Sequence, residues 1–150
     1  MIKILALFTA LSLPALHEAN AHCQVPCGIY DDDNILQSMR TDLITIEKAS
    51  KMITELSADP SKNAHQLTRW ITNKESHAQA LQDKVLNYFL SQRLKLGEAT
   101  SDRSSYEQKL SSSHRLIVYA MQTKQSTDPS AVKNLHDELH TFTKLFGQKK

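Results

Sequence analysis

Four stretches of the chain place apolar residues three and four positions apart, the spacing of a single helix face. The first stretch follows Asp31-Asp32-Asp33, and acidic residues are favourable at a helix N-terminus. It ends at Asp59-Pro60, because the residue before a proline disfavours helical geometry. Its predicted buried face consists of Ile35, Met39, Leu43, Ile46, Ala49, Ile53 and Leu56. This pattern predicts one long amphipathic helix.

The second predicted helix runs from near Ser61 to about Leu96 and stops at Gly97, a residue typical of helix ends. Lys74 interrupts its apolar face, where the aliphatic part of the side chain can lie along the surface. The predicted face consists of Leu67, Ile71, Ala78, Leu81, Val85 and Tyr88, widened by Trp70, Phe89 and Leu94.

Two shorter helices complete the pattern. Ser104 and Glu107 have the spacing of a capping box, which predicts the start of the third helix. Asp128-Pro129 predicts the start of the fourth, with an N-cap followed by proline at the first helical position. Their apolar residues are Tyr106, Leu110, Leu116, Ile117, Ala120 and Met121 in the third helix, and Val132, Leu135, Leu139, Phe142 and Phe146 in the fourth.

Four amphipathic helices with short connections near 97–103 and 124–128 bury their apolar faces together only as a bundle. The sequence therefore predicts an all-α fold, an antiparallel up-down-up-down four-helix bundle. The 3 glycines and 4 prolines of the chain agree with this class. A formal charge of +2 is too small to indicate nucleic-acid binding. The wide apolar face of the second helix leaves surface for contacts between subunits.

Residues 1–21 have the features of an export signal. Lys3 provides the positive charge, the apolar run 4–13 follows it, and Ala19-Asn20-Ala21 forms a cleavage site. The run is shorter than the roughly 20 residues of a transmembrane helix, so the mature form is expected to have no membrane segment. We expect a cleaved leader, 1–21, and a mature domain, 22–150, in the periplasm or secreted. An uncleaved amphipathic leader or anchor is the alternative.

Cleavage after Ala21 would make His22 the first residue and expose a compact set of metal donors. The new α-amine and the amide nitrogen of Cys23 can form one chelate ring, and the Cys23 thiolate closes a second. A bend at Val25-Pro26 would let the chain turn back, so that Cys27 provides a second thiolate. The result is a planar set of two nitrogens and two sulfurs, with the His22 imidazole available axially. Such a set suits nickel or copper better than zinc, which prefers a tetrahedron.

The same residues are also compatible with a disulfide or with a zinc site. Cys23 and Cys27 could form a disulfide in an oxidising compartment. A zinc site would need a further ligand from a distant histidine, such as His65 or His140. His136 and His140 share a helix face at a metal-binding spacing but have no third ligand nearby. We therefore expect His65, His114, His136 and His140 to be surface residues.

The string HCQVPCGIY at residues 22–30 resembles the nickel-binding hook of nickel superoxide dismutases. The resemblance implies one nickel ion per subunit, with His22, Cys23 and Cys27 as the metal ligands. It implies conversion of superoxide to dioxygen and hydrogen peroxide by cycling between nickel(II) and nickel(III), with Tyr30 as the catalytic-site aromatic. It also implies a bundle over 31–150 assembled as a homohexamer.

The resemblance extends weakly beyond the hook. His77 falls where family members carry a basic residue that supports the hook histidine, whereas Ser38 stands where they have a supporting carboxylate. Family members often carry a leader that a dedicated peptidase removes, and this route would leave the protein cytoplasmic. Two other functions fit the same residues: an exported, non-enzymatic nickel- or copper-binding protein, and a helical interaction module with a Cys23–Cys27 disulfide.

Overall fold

The computed structural model describes residues 32–147, and all regular structure in that range is helical. This confirms the all-α prediction and shows a helical bundle. In chain order the elements are α1 (Asp32–Leu56), α2 (Pro60–Lys84), a π-helical segment (Val85–Arg93), α3 (Glu98–Ser101), α4 (Arg103–Gln125) and α5 (Pro129–Phe146).

Aspartates cap three of the helices. Asp128 accepts a hydrogen bond from the Ser130 amide at 2.8 Å, with Pro129 in the first turn, as predicted. Asp59 caps α2 in the same way. The capping box predicted at Ser104 is wrong, because Asp102 is the N-cap of α4 and accepts from the Ser105 amide at 3.1 Å. The helix begins at Arg103, which places Ser104 inside its first turn.

The second predicted helix is divided in the structure. α2 ends at Lys84, the chain continues as the π-helical segment, and the short α3 follows Gly97, where the prediction had only a loop. At the end of the π-helical segment a hydrogen bond joins residues five apart, from Leu94 N to Phe89 O at 2.9 Å. The apolar spacing of Val85, Tyr88 and Phe89 fits an α-helix equally well, so the pattern alone could not reveal this change.

Successive long helices run antiparallel. At one end of α1, Asp32 accepts a hydrogen bond from the Tyr88 hydroxyl, and at the other the Asn63 side chain donates to the Leu56 carbonyl. α4 packs antiparallel on α2, because Gln82 donates to the Ile117 carbonyl and Lys74 to the Ser126 carbonyl.

Helix α5 returns along α4 and closes the bundle. Its Glu138 pairs with Arg115 and accepts a hydrogen bond from Ser112 in α4. The contact of Lys109 in α4 with the Phe146 ring, near the end of α5, gives the same antiparallel register. α5 also packs on α1, so the four long helices enclose one core.

The core contains most of the predicted apolar positions. Phe89, Phe142 and Phe146 meet in it with ring centroids 4.5–4.9 Å apart. Three predicted core residues are instead on the surface: Ile71, Leu110 and Met121 are 42–45% exposed. The buried apolar residues are Leu36, Met39, Leu43, Ile46, Ala49, Ile53, Ala78, Leu81, Val85, Tyr88, Phe89, Leu116, Ala120, Ala131, Leu135, Leu139, Phe142 and Phe146.

Lys74 lies inside the bundle rather than along its surface. Its side chain is buried, and its ammonium donates to the Ser126 carbonyl at 2.8 Å, just after α4 ends. Burial lowers the pKa of Lys74, because the charged form loses solvation. Its role is to bind backbone carbonyls that the end of α4 leaves without helical partners. No helix in the described range is both long enough and apolar enough to cross a membrane.

Candidate metal centre

The predicted metal-binding hook, residues 22–30, immediately precedes the bundle. His22, Cys23, Cys27 and Tyr30 lie outside the described residues, and their roles stay predictions. α1 begins at Asp32, two residues after Tyr30. The structure therefore describes the helix end at which the hook joins the bundle. We call Asp32 and the two residues that contact its side chain, Tyr88 and Arg93, the hook root.

The hook root is built around a buried carboxylate. Asp32 is 1% exposed, and its Oδ1 accepts a hydrogen bond from the Tyr88 hydroxyl at 2.7 Å. Its Oδ2 lies 2.6 Å from Nη2 of Arg93. Asp33, by contrast, is exposed in the first turn of α1. α1 thus begins within the acidic run rather than after it, with Asp32 and Asp33 in the first turn, where the helix dipole favours negative charge. The charge of Asp32 is also balanced by a cation from the π-helical segment.

Thiolate donors can come only from the hook, since Cys23 and Cys27 are the 2 cysteines of the chain. If the chain is cut before His22, the hook offers two thiolates, an amine, an amide nitrogen and an imidazole, donors that suit nickel. Within residues 32–147, no three His, Cys, Asp or Glu side chains are close enough together to hold a metal ion. The donor chemistry of the hook thus fits a nickel ion.

His77 is the one predicted site residue that the structure describes. It lies on α2 with its side chain 33% exposed, and its Nδ1 is 2.9 Å from Oδ1 of Asp42 on α1. The other carboxylate oxygen of Asp42 binds Lys84 Nζ at 2.5 Å. A carboxylate acceptor holds the imidazole proton on Nδ1 and fixes the plane of the ring. His77 is therefore held in one orientation by a buried aspartate.

Sequence reasoning missed Asp42. The residue follows Ser38 by one helical turn on α1, and its side chain is 7% exposed. The signal was a carboxylate next to Leu43 on the buried side of an amphipathic helix, where an unpaired charge would be costly. That position implied a cationic or histidine partner, but the partner is 35 residues away in the sequence.

The remaining predicted surface histidines are confirmed as exposed. They are His65, His114, His136 and His140. His136 and His140 lie on the same face of α5, where Nδ1 of His136 is 3.4 Å from an oxygen of Asp137. His65 lies near the start of α2, at the end of the bundle opposite the hook root.

Comparison with known proteins agrees with the resemblance of the hook. The family model of nickel-containing superoxide dismutase matches residues 17–150, which include both the hook and all the described helices. Neither the curated proteins nor the solved structures give a significant match. The match covers most of the chain. The chain therefore belongs to the nickel-containing superoxide dismutases, oxidoreductases that act on superoxide with nickel as their cofactor.

Proposed function

We propose that this enzyme holds one nickel ion per subunit in the hook, with His22, Cys23 and Cys27 as its ligands. The observation that carries the proposal is the family match over residues 17–150, because it includes the donor-rich segment HCQVPCGIY. Bound nickel would supply the redox chemistry, a change between its divalent and trivalent states, for converting superoxide to dioxygen and hydrogen peroxide. The protein supplies the donors, their geometry and the approach of the substrate.

Each hook donor has a distinct role. The α-amine of His22 and the two thiols bind only after losing protons, so occupancy of the site depends on pH. The thiolates of Cys23 and Cys27 are soft and electron-rich, which favours the higher oxidation state of the metal. The His22 imidazole would be a further nitrogen donor to the metal. The Tyr30 hydroxyl would order water or a small anion close to the metal.

His77 is proposed as a positioning residue for the hook histidine. Ten residues, 22–31, precede Asp32, and a chain of that length spans at most about 33–36 Å. Asp42 lies ten residues into α1, about 15 Å along the helix axis from Asp32. The His77–Asp42 pair is therefore within reach of His22. Asp42 supplies the carboxylate that Ser38 cannot, one turn further along α1.

His77→Gln and Asp42→Asn should each lower dismutase activity about tenfold, the usual size of an outer-shell effect. Nickel content should stay near that of the unmodified protein, because no ligand is lost. The electron paramagnetic resonance spectrum of the oxidised nickel form should change, since the axial donor would lose its support. Activity, nickel-to-protein ratio and this spectrum are the measurements.

His65→Gln is the matched control, because His65 is also a helix α2 histidine but is exposed at the far end of the bundle. It should leave activity and spectrum unchanged. If His77→Gln gives the same activity and spectrum as His65→Gln, the positioning role of His77 is wrong.

Removal of residues 1–21 is part of the proposal, because only a chain starting at His22 has the chelating amine. An export protease would place the enzyme in the periplasm or outside the cell, and a dedicated peptidase would leave it in the cytoplasm. We also propose a homo-oligomer, a hexamer by family resemblance. Supporting this, Leu110, Val118 and Met121 share one face of α4 and are 37–43% exposed.

Anaerobic loading of the mature protein with nickel, followed by a superoxide decay assay, separates the three candidate functions. The proposed dismutase should bind one equivalent of nickel and remove superoxide catalytically. A protein that only captures metal would bind nickel without turnover. A disulfide-bearing interaction module would neither bind nickel nor show two free thiols after purification.

A further inference from the structure

The π-helical segment brings two side chains onto one carboxylate. In an α-helix, with about 3.6 residues per turn, residues five apart are rotated by about 140° and point in different directions. In a π-helix the backbone hydrogen bonds join residues five apart, so these residues lie nearly above one another. Tyr88 and Arg93 are five apart, and both reach Asp32, at 2.7 and 2.6 Å. The π-helical register thus assembles the hook root.

Because Asp32 is buried, the stability of the folded protein depends on the groups that pair with its carboxylate. Its side chain has 0% exposure, whereas that of Arg93 has 30%. A buried carboxylate without a nearby cation is strongly destabilising, and removing one partner of such a pair is costly. Arg93 therefore stabilises the buried carboxylate of Asp32 in the first turn of α1.

Two buried polar atoms of this ion pair make no hydrogen bond within the described residues. The 2.6 Å contact joins Nη2 of Arg93 to Oδ2 of Asp32 without hydrogen-bond alignment. Asp32 Oδ2 and Arg93 Nε are buried and have no hydrogen-bond partner among the described residues. Such atoms are rare in native proteins and are usually satisfied by neighbouring groups. The chain that joins α1 here is the hook.

We propose that the Asp32–Arg93 ion pair is a clamp that fixes the point and direction at which the hook leaves the bundle. The inference rests on the proposed function, in which the hook holds nickel. The clamp makes no bond to the metal. It restricts the start of α1, so less conformational freedom is lost when the hook wraps around the ion. Arg93 is thus a positioning residue that acts through Asp32.

The test compares Arg93→Gln with Arg115→Gln in the mature protein. Arg115 is the matched control, because it also pairs at 2.6 Å with a buried carboxylate, Glu138, but joins α4 to α5. Two quantities are measured: amide hydrogen exchange over residues 33–36 of the nickel-free protein, and the dissociation constant of nickel. Thermal unfolding of both variants reports the general loss of stability.

Arg93→Gln should accelerate exchange in residues 33–36 and raise the nickel dissociation constant about tenfold, in the range of outer-shell effects on metal sites. Arg115→Gln should lower thermal stability while leaving both quantities unchanged. Arg93→Lys should recover part of the nickel affinity, because lysine keeps the positive charge but lacks the guanidinium fork. This conservative variant also serves if Arg93→Gln does not fold.

Unchanged exchange and nickel affinity in Arg93→Gln would overturn the clamp, and so would equal changes in Arg115→Gln. The exchange measurement uses nickel-free protein and therefore reports on the clamp by itself. Failure of the unmodified mature protein to bind nickel would instead refute the proposed function. The two failures are therefore distinguishable.

Discussion

One alanine added before His22 should abolish dismutase activity while leaving the helical bundle folded. The added residue converts the chelating α-amine of His22 into an amide within the chain and places the new amine one residue away from the thiolates. The five-membered ring with the Cys23 amide nitrogen is then lost. Activity should fall to background, and the circular dichroism spectrum should keep its helical minima, because the core lies in residues 36–146.

An alanine added after Lys150 is the control for the change in length, and it should have no effect on turnover. Aminopeptidase removal of the alanine before His22 should restore activity, since the original amine is regenerated. An extended protein with full activity would show that the α-amine is not a ligand.

Cys23→Ser and Cys27→Ser should each abolish nickel binding. Each change would remove one of the two proposed thiolate ligands, and the chain has no third cysteine to replace it. A serine hydroxyl is a much harder and weaker donor for nickel. The measurements are the nickel-to-protein ratio after anaerobic loading and the rate of superoxide decay. A serine variant that binds one equivalent of nickel would contradict the proposed ligand set.

His22→Gln is the matched variant, because it keeps the α-amine and the Cys23 amide while removing only the imidazole. Nickel should still bind, but turnover should fall sharply without the axial donor. Full activity in His22→Gln would refute the axial role. The contrast between lost binding in the cysteine variants and lost turnover in His22→Gln separates the proposed role of the thiolates from that of the imidazole.

The helices were predictable from apolar spacing, but the width of their buried faces was not. Met39, Leu43 and Ile46 are buried as predicted, because α1 faces both α2 and α5. Leu110 and Met121 follow the same spacing on α4 yet are exposed. Periodicity identifies a helix and its apolar side, whereas the neighbours in the bundle decide how much of that side is covered.

The polar contacts that organise the hook root were beyond the reach of the sequence pattern. Asp32 pairs with Arg93 and accepts a hydrogen bond from Tyr88, both far along the chain, and these contacts depend on the change from α- to π-helical register. The pairing of Asp42 with His77 likewise joins two helices. Local spacing predicts partners one turn away on the same helix, but it does not predict partners on another helix.

The candidate metal site, unlike the contacts between helices, could be predicted from the sequence. Its donors are contiguous, so HCQVPCGIY carries the chemistry of an amine, an amide, two thiolates and an imidazole within nine residues. The ligand assignment of His22, Cys23 and Cys27 could therefore be made from sequence, and the family match supports the nickel chemistry. The roles of the three ligands and Tyr30 stay predictions, because all four residues lie outside the described range.

The N-terminal residue of the purified, nickel-containing, active enzyme is the decisive test of the proposed metal site. The proposed site exists only if the chain has been cut between Ala21 and His22. N-terminal sequencing and intact mass should both give His22 as the first residue of the active form. Nickel-dependent activity in a protein that begins at any other residue would show that the α-amine of His22 is not a nickel ligand.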